Sequence, residues 1–206
     1  MFQEKDIFKR CTSGTYEALK DIKITIVGAG GIGSNVAATL VRSGATNIKI
    51  IDYDKVELSN LNRQQYFLED VGKYKVLAIK DILKRINPNV NIDAVAMKLS
   101  IDNFYEYLKD TEIIVEAFDN AEYKAELTSY VLKNMKDKYL IASSGMANIA
   151  SSNDIKSKKI KEKFYICGDF TNEVTKESGV MASRVLICAN HMANMVIRIA
   201  MEKFEV

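Results

Sequence analysis

The sequence predicts an α/β fold built on a doubly wound, mainly parallel sheet, with a long helix at the C-terminal end. Short runs of β-branched residues alternate with longer segments of helical periodicity, and this order is typical of parallel sheets. A glycine-rich turn joins the first such run to the first helical segment. The length of 206 residues, 48% of them apolar and 27% charged, fits a single globular domain that spans the chain.

The first two thirds of the chain contain the strongest pattern of alternating elements. We predict strands at 23–27, 48–51, 91–97, 112–117 and 139–143. Between them we predict helices at 32–43, 71–86 and 122–135. Pro88 should end the second of these helices, because proline cannot continue a helical hydrogen-bond ladder. Asp102 should cap a short helix at 103–108.

After Ser144 the alternation is less regular. Segments 143–145 and 151–153 have loop composition, a further strand is predicted at 160–167, and a flexible loop at 168–179. The basic run 156–163 is expected to be solvated surface. The last helix is predicted at 180–204, with His191 in a structural position beside an apolar stripe. That stripe is a core face or, alternatively, a subunit interface, and it contains Val185, Cys188, Met192, Met195, Val196 and Ile199.

Composition excludes several classes of protein. The 29 basic and 27 acidic residues leave a net charge of +2, which is too even for a nucleic-acid binder that works by bulk charge. No apolar run is long enough to span a membrane, and charges at the start argue against a signal peptide. Cys11, Cys167 and Cys188 are scattered, which suits a reducing cytoplasm and predicts no zinc site. A single histidine makes a histidine-based triad improbable.

The glycine-rich turn contains Gly28, Gly30, Gly31 and Gly33 in the arrangement G-x-G-x-x-G. Without Cβ atoms, such a turn lets the backbone approach a phosphate and lets the helix pack closely on the strand. Asp52 follows Gly33 by 19 residues at the end of the second predicted strand, where a carboxylate can hold a ribose hydroxyl. These features predict a nucleotide site of Rossmann-like type, for which NAD is the default and an NAD(P)-dependent oxidoreductase one possible function.

The residues that follow favour a triphosphate over a dinucleotide. Asn60, Arg63, Gln64 and Lys75 supply several donors suited to phosphate near one strand end. A dinucleotide needs few such donors, whereas a triphosphate concentrates more charge. Asp119 follows the fourth predicted strand, where the carboxyl ends of parallel strands line a crevice, and is placed to hold Mg²⁺ against phosphate oxygens.

In combination, the segments GAGGIGSN, DYDKVELSNLNRQ, GKYK and EAFDN resemble the ThiF/MoeB/HesA family, the bacterial relatives of ubiquitin-activating enzymes. The later segments SSGMAN, CGDF and GVMASRVLICANHMANMV resemble a short ThiF subfamily of thiamine biosynthesis. The resemblance implies ATP- and Mg²⁺-dependent adenylylation of the C-terminal glycine of a ubiquitin-like sulfur carrier protein ending in Gly-Gly, here ThiS. It implies one ThiF-type domain over 1–206, with a nucleotide-binding part at about 20–145 and a carrier-binding or interface part at about 146–206.

The resemblance also assigns roles to individual residues. Its nucleotide-binding positions match Gly28, Gly30, Gly31, Gly33, Asp52, Asp54, Asn60, Arg63, Gln64 and Lys75. Its metal-binding aspartate matches Asp119, which is counted with Arg63 and Lys75 among the catalytic residues. A further catalytic arginine, supplied by the other subunit of a homodimer in many members, matches Arg10, although the spacing from Arg10 to the glycine turn is short for the family.

Two departures from the family pattern affect these expectations. Many relatives have two CxxC pairs for structural zinc, and this chain has none, so no zinc is predicted. Some ThiF proteins link a loop cysteine covalently to the carrier. Cys167 starts a candidate loop of that kind, with an inert buried thiol as the alternative.

Other substrates within the family, namely a molybdopterin carrier or a modified tRNA base, stay open, as does a non-catalytic scaffold that docks the carrier.

Overall fold

A computed structural model describes residues 4–171 and 178–206, and these form a seven-stranded sheet with helices on both faces. The strand order is β3-β2-β1-β4-β5-β7-β6, with β6 antiparallel to β7 and every other neighbouring pair parallel. The strands are β1 (Ile24–Val27), β2 (Asn47–Ile51), β3 (Asn91–Val95), β4 (Ile113–Glu116), β5 (Tyr139–Ser143), β6 (Lys156–Lys161) and β7 (Phe164–Gly168).

The sheet separates two apolar layers, each covered by helices. The helices are α1 (Thr15–Leu19), α2 (Gly31–Ser43), α3 (Lys75–Ile86), α4 (Phe104–Leu108), α5 (Ala121–Asn134) and α6 (Ala182–Ala200). One face of the sheet is covered by α1, α2, α3 and α6, and the other by α4 and α5. Within the described ranges, no helix combines the length and the apolar character needed to cross a membrane.

The predicted α/β class is confirmed, and the central strands show why it could be predicted. Every residue of β1 and β4 is buried, because both faces of the sheet are covered at its centre. Central strands therefore appear in the sequence as continuous apolar runs without alternation.

Some predicted boundaries are wrong for local reasons. The helix predicted from residue 71 begins at Lys75, because a 3₁₀ turn at Leu68–Asp70 and the left-handed backbone of Gly72 precede it. Asp102 does not cap the short helix α4. Asn103 occupies the N-cap position, and its Oδ1 accepts a hydrogen bond from the Ser100 amide at 2.9 Å.

The C-terminal part differs most from the prediction. The strand predicted at 160–167 is in fact the junction of a hairpin, formed by β6 and β7. The basic run 156–163 is solvent-exposed as expected, but most of it forms the edge strand β6. Of the loop predicted at 168–179, residues 172–177 lie outside the described residues.

The apolar stripe of α6 is a core face. All six of its residues are buried, and α6 packs along α2 and over β5 and β7. Its interpretation as a subunit interface is therefore wrong, because the chain covers the stripe with its own elements. An expectation of a homodimer must rest on other features.

The lysines of the edge strand β6 are placed to discourage edge-to-edge pairing with another sheet. An edge strand presents unpaired backbone groups to other chains, and lysine side chains discourage such pairing. We predict that replacing Lys159 and Lys161 with threonine promotes concentration-dependent association, measured by dynamic light scattering. Lys109 and Lys136 are equally charged but lie in turns, so the same replacement there should leave the protein dispersed. Equal behaviour of the two variants would contradict the edge-protection role.

Candidate nucleotide site

The carboxyl ends of β1 and β4 lie where the strand order reverses, the place at which the sequence predicted a crevice. These strands lie side by side at the centre of the sheet, and the chain proceeds to opposite sides from them, toward β2 and β3 or toward β5. Open α/β sheets bind ligands at this reversal of strand order. The glycine turn leaves β1 at this point, and the segment that contains Asp119 leaves β4 beside it.

Close backbone contacts bring the glycine turn against both neighbours. Gly28 has a left-handed φ of 101°, and a Cβ atom on it would lie 2.5 Å from the carbonyl oxygen of Ala117. A Cβ on Gly33 would lie 1.8 Å from the carbonyl oxygen of Gly28. Only glycine permits both approaches. They seat the first turn of α2 directly at the crevice, where its free amides favour an anion.

Asp52 is held by two backbone amides at the end of β2. Its Oδ2 accepts a hydrogen bond from Ala29 N at 2.6 Å, and its Oδ1 accepts one from Asp54 N at 2.7 Å. Burial raises the pKa of this carboxyl, while the two amides and nearby Lys75 act in the opposite direction. Each oxygen retains acceptor capacity, so the geometry fits the predicted role of binding ribose hydroxyls.

Lys75 and Asp54 form an ion pair beneath the same crevice. The Lys75 Nζ lies 2.8 Å from Asp54 Oδ2, and the Lys75 side chain is 9% exposed against 45% for Asp54. The buried Tyr66 hydroxyl ties this pair to the glycine turn, because it lies 2.7 Å from the Ala29 carbonyl and 3.3 Å from that of Lys75. Lys75 is therefore fixed at the start of α3, close to the turn.

Arg63 and Gln64 lie over the start of α2. The Arg63 Cγ would be 3.5 Å from a Cβ on Gly31, and the Gln64 Nε2 would be 3.9 Å from a Cβ on Gly30. Both backbone amides donate to the carbonyl of Asn60, at 3.1 and 3.0 Å. Asn60 itself closes a 3₁₀ turn, since its Oδ1 accepts from the Glu57 amide at 3.1 Å.

An unsatisfied polar atom makes this cluster a candidate binding site. The Oε1 of Gln64 is buried, yet it has no hydrogen-bond partner in the described part of the chain. Buried polar atoms are nearly always paired, so such an exception calls for a physical reason. A nucleotide seated on the glycine turn would place donor groups within reach of this amide, and the residues present therefore fit a bound nucleotide.

Sequence reasoning missed the polar network that ties Arg63 and Gln65 to α2. The Asn35 Nδ2 donates to the carbonyls of Gly31, at 2.6 Å, and Arg63, at 2.9 Å. The Gln65 Nε2 donates to Asn35 Oδ1 at 2.6 Å. A signal was available, because buried polar Ser34 and Asn35 interrupt an otherwise apolar helix start.

A second missed network joins the ends of β4 and β5. Glu116 is fully buried, and its carboxylate oxygens lie 3.0 and 2.9 Å from Lys124 Nζ, which also donates to Ser143 Oγ at 2.7 Å. Burial raises the pKa of Glu116, and the ammonium of Lys124 opposes that shift. Glu116 also accepts from the Phe118 amide at 2.7 Å, and it thereby shapes the turn that leads to Asp119.

Asp119 is exposed at the crevice and makes no hydrogen bond or ion pair with the residues that the structure describes. The N-cap of α5 is the neighbouring residue, Asn120. Asn120 Oδ1 accepts from the amides of Glu122, at 2.9 Å, and Tyr123, at 3.1 Å. Asp119 is therefore available to an added cation, and one carboxylate with substrate phosphates is a usual environment for Mg²⁺.

Arg10 is the one predicted site residue that the chain does not bring to its own crevice. Phe8 stacks on Tyr16 with ring centroids 5.0 Å apart, and Tyr16 packs against Gly44 at the far end of α2. A helix of this length separates its two ends by about 18 Å. The segment that carries Arg10 thus lies at the opposite end of α2 from the glycine turn.

Two of the three cysteines, Cys167 and Cys188, are buried, whereas Cys11 is partly exposed. Cys167 lies inside β7 and is fully buried, and burial raises its pKa to about 11. Burial also raises the pKa of Cys188 above the usual range. Because the thiolate is the reactive form, the burial of Cys167 within β7 favours the inert alternative over a covalent link to a carrier. His191 has a structural contact, with Nδ1 3.1 Å from the Ser157 hydroxyl.

Zinc was not expected, and the described ranges contain no group of three or more His, Cys, Asp or Glu side chains that could hold a metal ion.

The sequence model of the ThiF family matches residues 3–205 of this chain. The chain is 36% identical to the sulfur carrier protein ThiS adenylyltransferase of Bacillus subtilis, over 59% of this chain and 37% of that protein. It is 39% identical to the sulfur carrier protein adenylyltransferase of Thermus thermophilus, over 50% of this chain and 39% of that protein. The chain thus spans well under half the length of these two relatives.

Two further similarities involve a different named activity. The tRNA threonylcarbamoyladenosine dehydratase of Bacillus subtilis is 36% identical over 64% of this chain and 52% of that protein. The Escherichia coli tRNA N6-threonylcarbamoyladenosine dehydratase, solved in complex with ATP, superposes with a TM-score of 0.85 at 21% identity and covers 97% of this chain and 94% of its own. This superposition shows that the two share a fold.

The close approach of Gly33 to Gly28 generates a prediction. Gly33→Ala should lower the free energy of unfolding by about 1–3 kcal/mol and weaken nucleotide binding, because the new methyl group would overlap a backbone oxygen. Gly30→Ala is the matched control, since its Cβ would meet no heavy atom nearer than 3.9 Å. Urea titrations of both variants measure the difference. A Gly33→Ala protein as stable as Gly30→Ala would contradict the packing described here.

Proposed function

The chain belongs to the ThiF family, and on that premise we propose that it transfers AMP from ATP to the C-terminal glycine carboxylate of a ubiquitin-like sulfur carrier protein. We propose ThiS as the carrier, and thiamine thiazole biosynthesis as the process served. The observation that supports this most is the set of phosphate-type donors from Arg63, Gln64 and Lys75 beside the first turn of α2. The names of the Bacillus and Thermus relatives agree with this choice.

The reaction requires little acid–base chemistry from the protein. A carrier carboxylate is already ionised at neutral pH, and one of its oxygens attacks the α-phosphorus of ATP. A new carboxyl–phosphate bond forms, the bond from the α-phosphorus to the bridging oxygen breaks, and pyrophosphate leaves with that electron pair. The absence of a histidine-based triad is therefore compatible with the proposed activity.

The residues of the crevice would act by positioning and by charge. The first turn of α2 and Asp52 would hold the nucleotide, with Gln64 and Asn60 as neutral donors near the phosphates. Arg63 and Lys75 would stabilise the charge that develops on the departing pyrophosphate. Asp119 would hold Mg²⁺, which neutralises phosphate charge when bound. Asp54 would keep the Lys75 ammonium in place through the 2.8 Å ion pair.

Arg10 supports a homodimer in this proposal. Its segment lies at the far end of α2 from the crevice of the same chain, so it could serve only a crevice in a second copy. The family resemblance suggests the same arrangement.

The cytoplasmic location and the lack of zinc stay predictions.

Three other functions are less well supported. Activation of a modified tRNA base is suggested by the dehydratase relatives, but a net charge of +2 is low for a tRNA-binding protein. A molybdopterin carrier remains an alternative substrate for the same chemistry, since relatives of that name also match. An NAD(P)-dependent oxidoreductase would leave the donors of Arg63 and Lys75 without an evident role.

Exchange of labelled pyrophosphate into ATP tests the proposed activity. We expect exchange when a carrier ending in Gly-Gly is present, because that carboxylate is the only nucleophile required. A carrier that lacks its last glycine is the control and should support much less exchange. Equal exchange with both carriers, or none with ThiS and the molybdopterin carrier alike, would contradict the proposal.

Replacement of Asp119 tests the metal-binding role. Asp119→Ala should reduce adenylylation by about 10²-fold or more, which is the scale for removing one preorganised electrostatic group. Folding should survive, because the side chain is exposed. Asp110→Ala is the matched control, since Asp110 is an exposed aspartate at the opposite end of β4. An Asp119→Ala rate within about threefold of the wild-type rate at saturating ATP and Mg²⁺ would overturn the assignment.

A further inference from the structure

Two exposed apolar side chains lie together beside the crevice, outside the nucleotide site. Ile149 is 84% exposed, and Met181 is 48% exposed. A parallel β-bridge pairs Asn148 with Val180, and the Asn148 amide donates to the Gly179 carbonyl at 3.2 Å. The residues that follow each bridge partner, Ile149 and Met181, are therefore neighbours. We call these two side chains the 149/181 patch.

The loop that carries Ile149 is fixed by a buried arginine. Arg184, on the first turn of α6, donates to the carbonyls of Ala150 and Ser151 at 2.6 Å each and to that of Met146 at 3.4 Å. Its charge is paired with Asp169, and both side chains are almost fully buried, with exposures of 3% and 0%. A buried ion pair is a costly way to hold a surface loop.

A hydrogen bond from within the loop also fixes its backbone conformation. Asn148 has a left-handed φ of 60°, which is uncommon for a residue other than glycine, and its Oδ1 accepts from the Ala150 amide at 2.6 Å. An exposed isoleucine on a loop held by these contacts contributes nothing to the core. This combination indicates a surface that is built to contact something.

The position of the patch identifies the end of the site that it serves. Val185, one residue after Arg184, would lie 3.1 Å from a Cβ on Gly31, the first residue of α2. Met181 lies one helical turn before Val185, and its carbonyl accepts the Val185 amide at 3.1 Å. One turn advances about 5.4 Å. The 149/181 patch is therefore next to the phosphate end of the crevice, where the transfer of AMP would take place.

We infer that the 149/181 patch docks the carrier residues that immediately precede its Gly-Gly terminus, with Arg184 as a positioning residue for the loop. This inference rests on the proposed function. Two extended residues span roughly 7 Å. A carrier carboxylate placed at the α-phosphate would therefore bring the residues before Gly-Gly to a patch about one helical turn away. Apolar side chains at those carrier positions would lose water against Ile149 and Met181.

Steady-state adenylylation kinetics test the inference. The Ile149→Ser/Met181→Ser double variant should raise the KM for the carrier about tenfold, a typical effect of removing a central apolar contact, and leave the KM for ATP within twofold. Both side chains are exposed, so the variant should fold. Ile160→Ser is the matched control, because Ile160 is exposed on β6 near the amino end of the sheet, away from the crevice. It should leave both KM values unchanged.

Arg184→Lys provides a second readout. Lysine keeps the charge beside Asp169 but cannot reach three carbonyls in the planar arrangement of a guanidinium. We expect faster amide hydrogen exchange in residues 146–151 together with a raised KM for the carrier and an unchanged KM for ATP. Equal increases in both KM values would indicate a general structural role and would contradict the positioning role.

The outcomes separate this inference from the proposed function. If the wild-type protein adenylylates the carrier and the double variant has an unchanged KM for it, the inference is wrong and the proposed function stands. If the double variant instead dissociates a dimer without changing that KM, the patch is a contact between two copies and the inference is again wrong. If the wild-type protein adenylylates no carrier, the proposed function and this inference fall together.

Discussion

The nucleotide site depends on the close packing of the glycine turn between β1, β4 and α2. Because Gly33 lacks a side chain, α2 can begin against the carbonyl of Gly28, and because Gly28 lacks one, β1 can continue past the backbone of Ala117. These contacts bring the free amides of α2 to the point where the strand order reverses. The Arg63 and Gln64 segment, the Lys75 ion pair and the Asp119 turn are then arranged around one helix terminus.

Buried polar networks give this arrangement its precision. Asn35 and Gln65 tie the Arg63 segment to α2, Tyr66 ties Lys75 to the glycine turn, and Lys124 joins the ends of β4 and β5 through Glu116. Each network places one member of the site relative to another, and none of these linking side chains needs to contact the nucleotide. The site residues are thus held by rigid elements on both sides of the crevice, as preorganised catalysis requires.

The parts of this structure that the sequence predicts are those fixed by local spacing. Apolar runs locate the buried strands, and the glycine turn with Asp52 locates the crevice, because both signals lie within a few residues or at a regular separation. Strand β6 was missed, since four of its six residues are lysines and leave no apolar pattern. The Arg184–Asp169 pair and the burial of Glu116 were missed because they depend on contacts between elements that are distant in sequence. The placement of Arg10 away from its own crevice also follows only from the packing of α1 at the end of α2.

The transfer of AMP to a carrier carboxylate is the central claim, and label transfer measures it directly. The protein would be incubated with Mg²⁺, a carrier ending in Gly-Gly, and ATP labelled at either the α- or the γ-phosphate. The account predicts that label from the α-position becomes attached to the carrier and that label from the γ-position is released as pyrophosphate. A carrier that acquires no α-label, or that acquires γ-label, would contradict it.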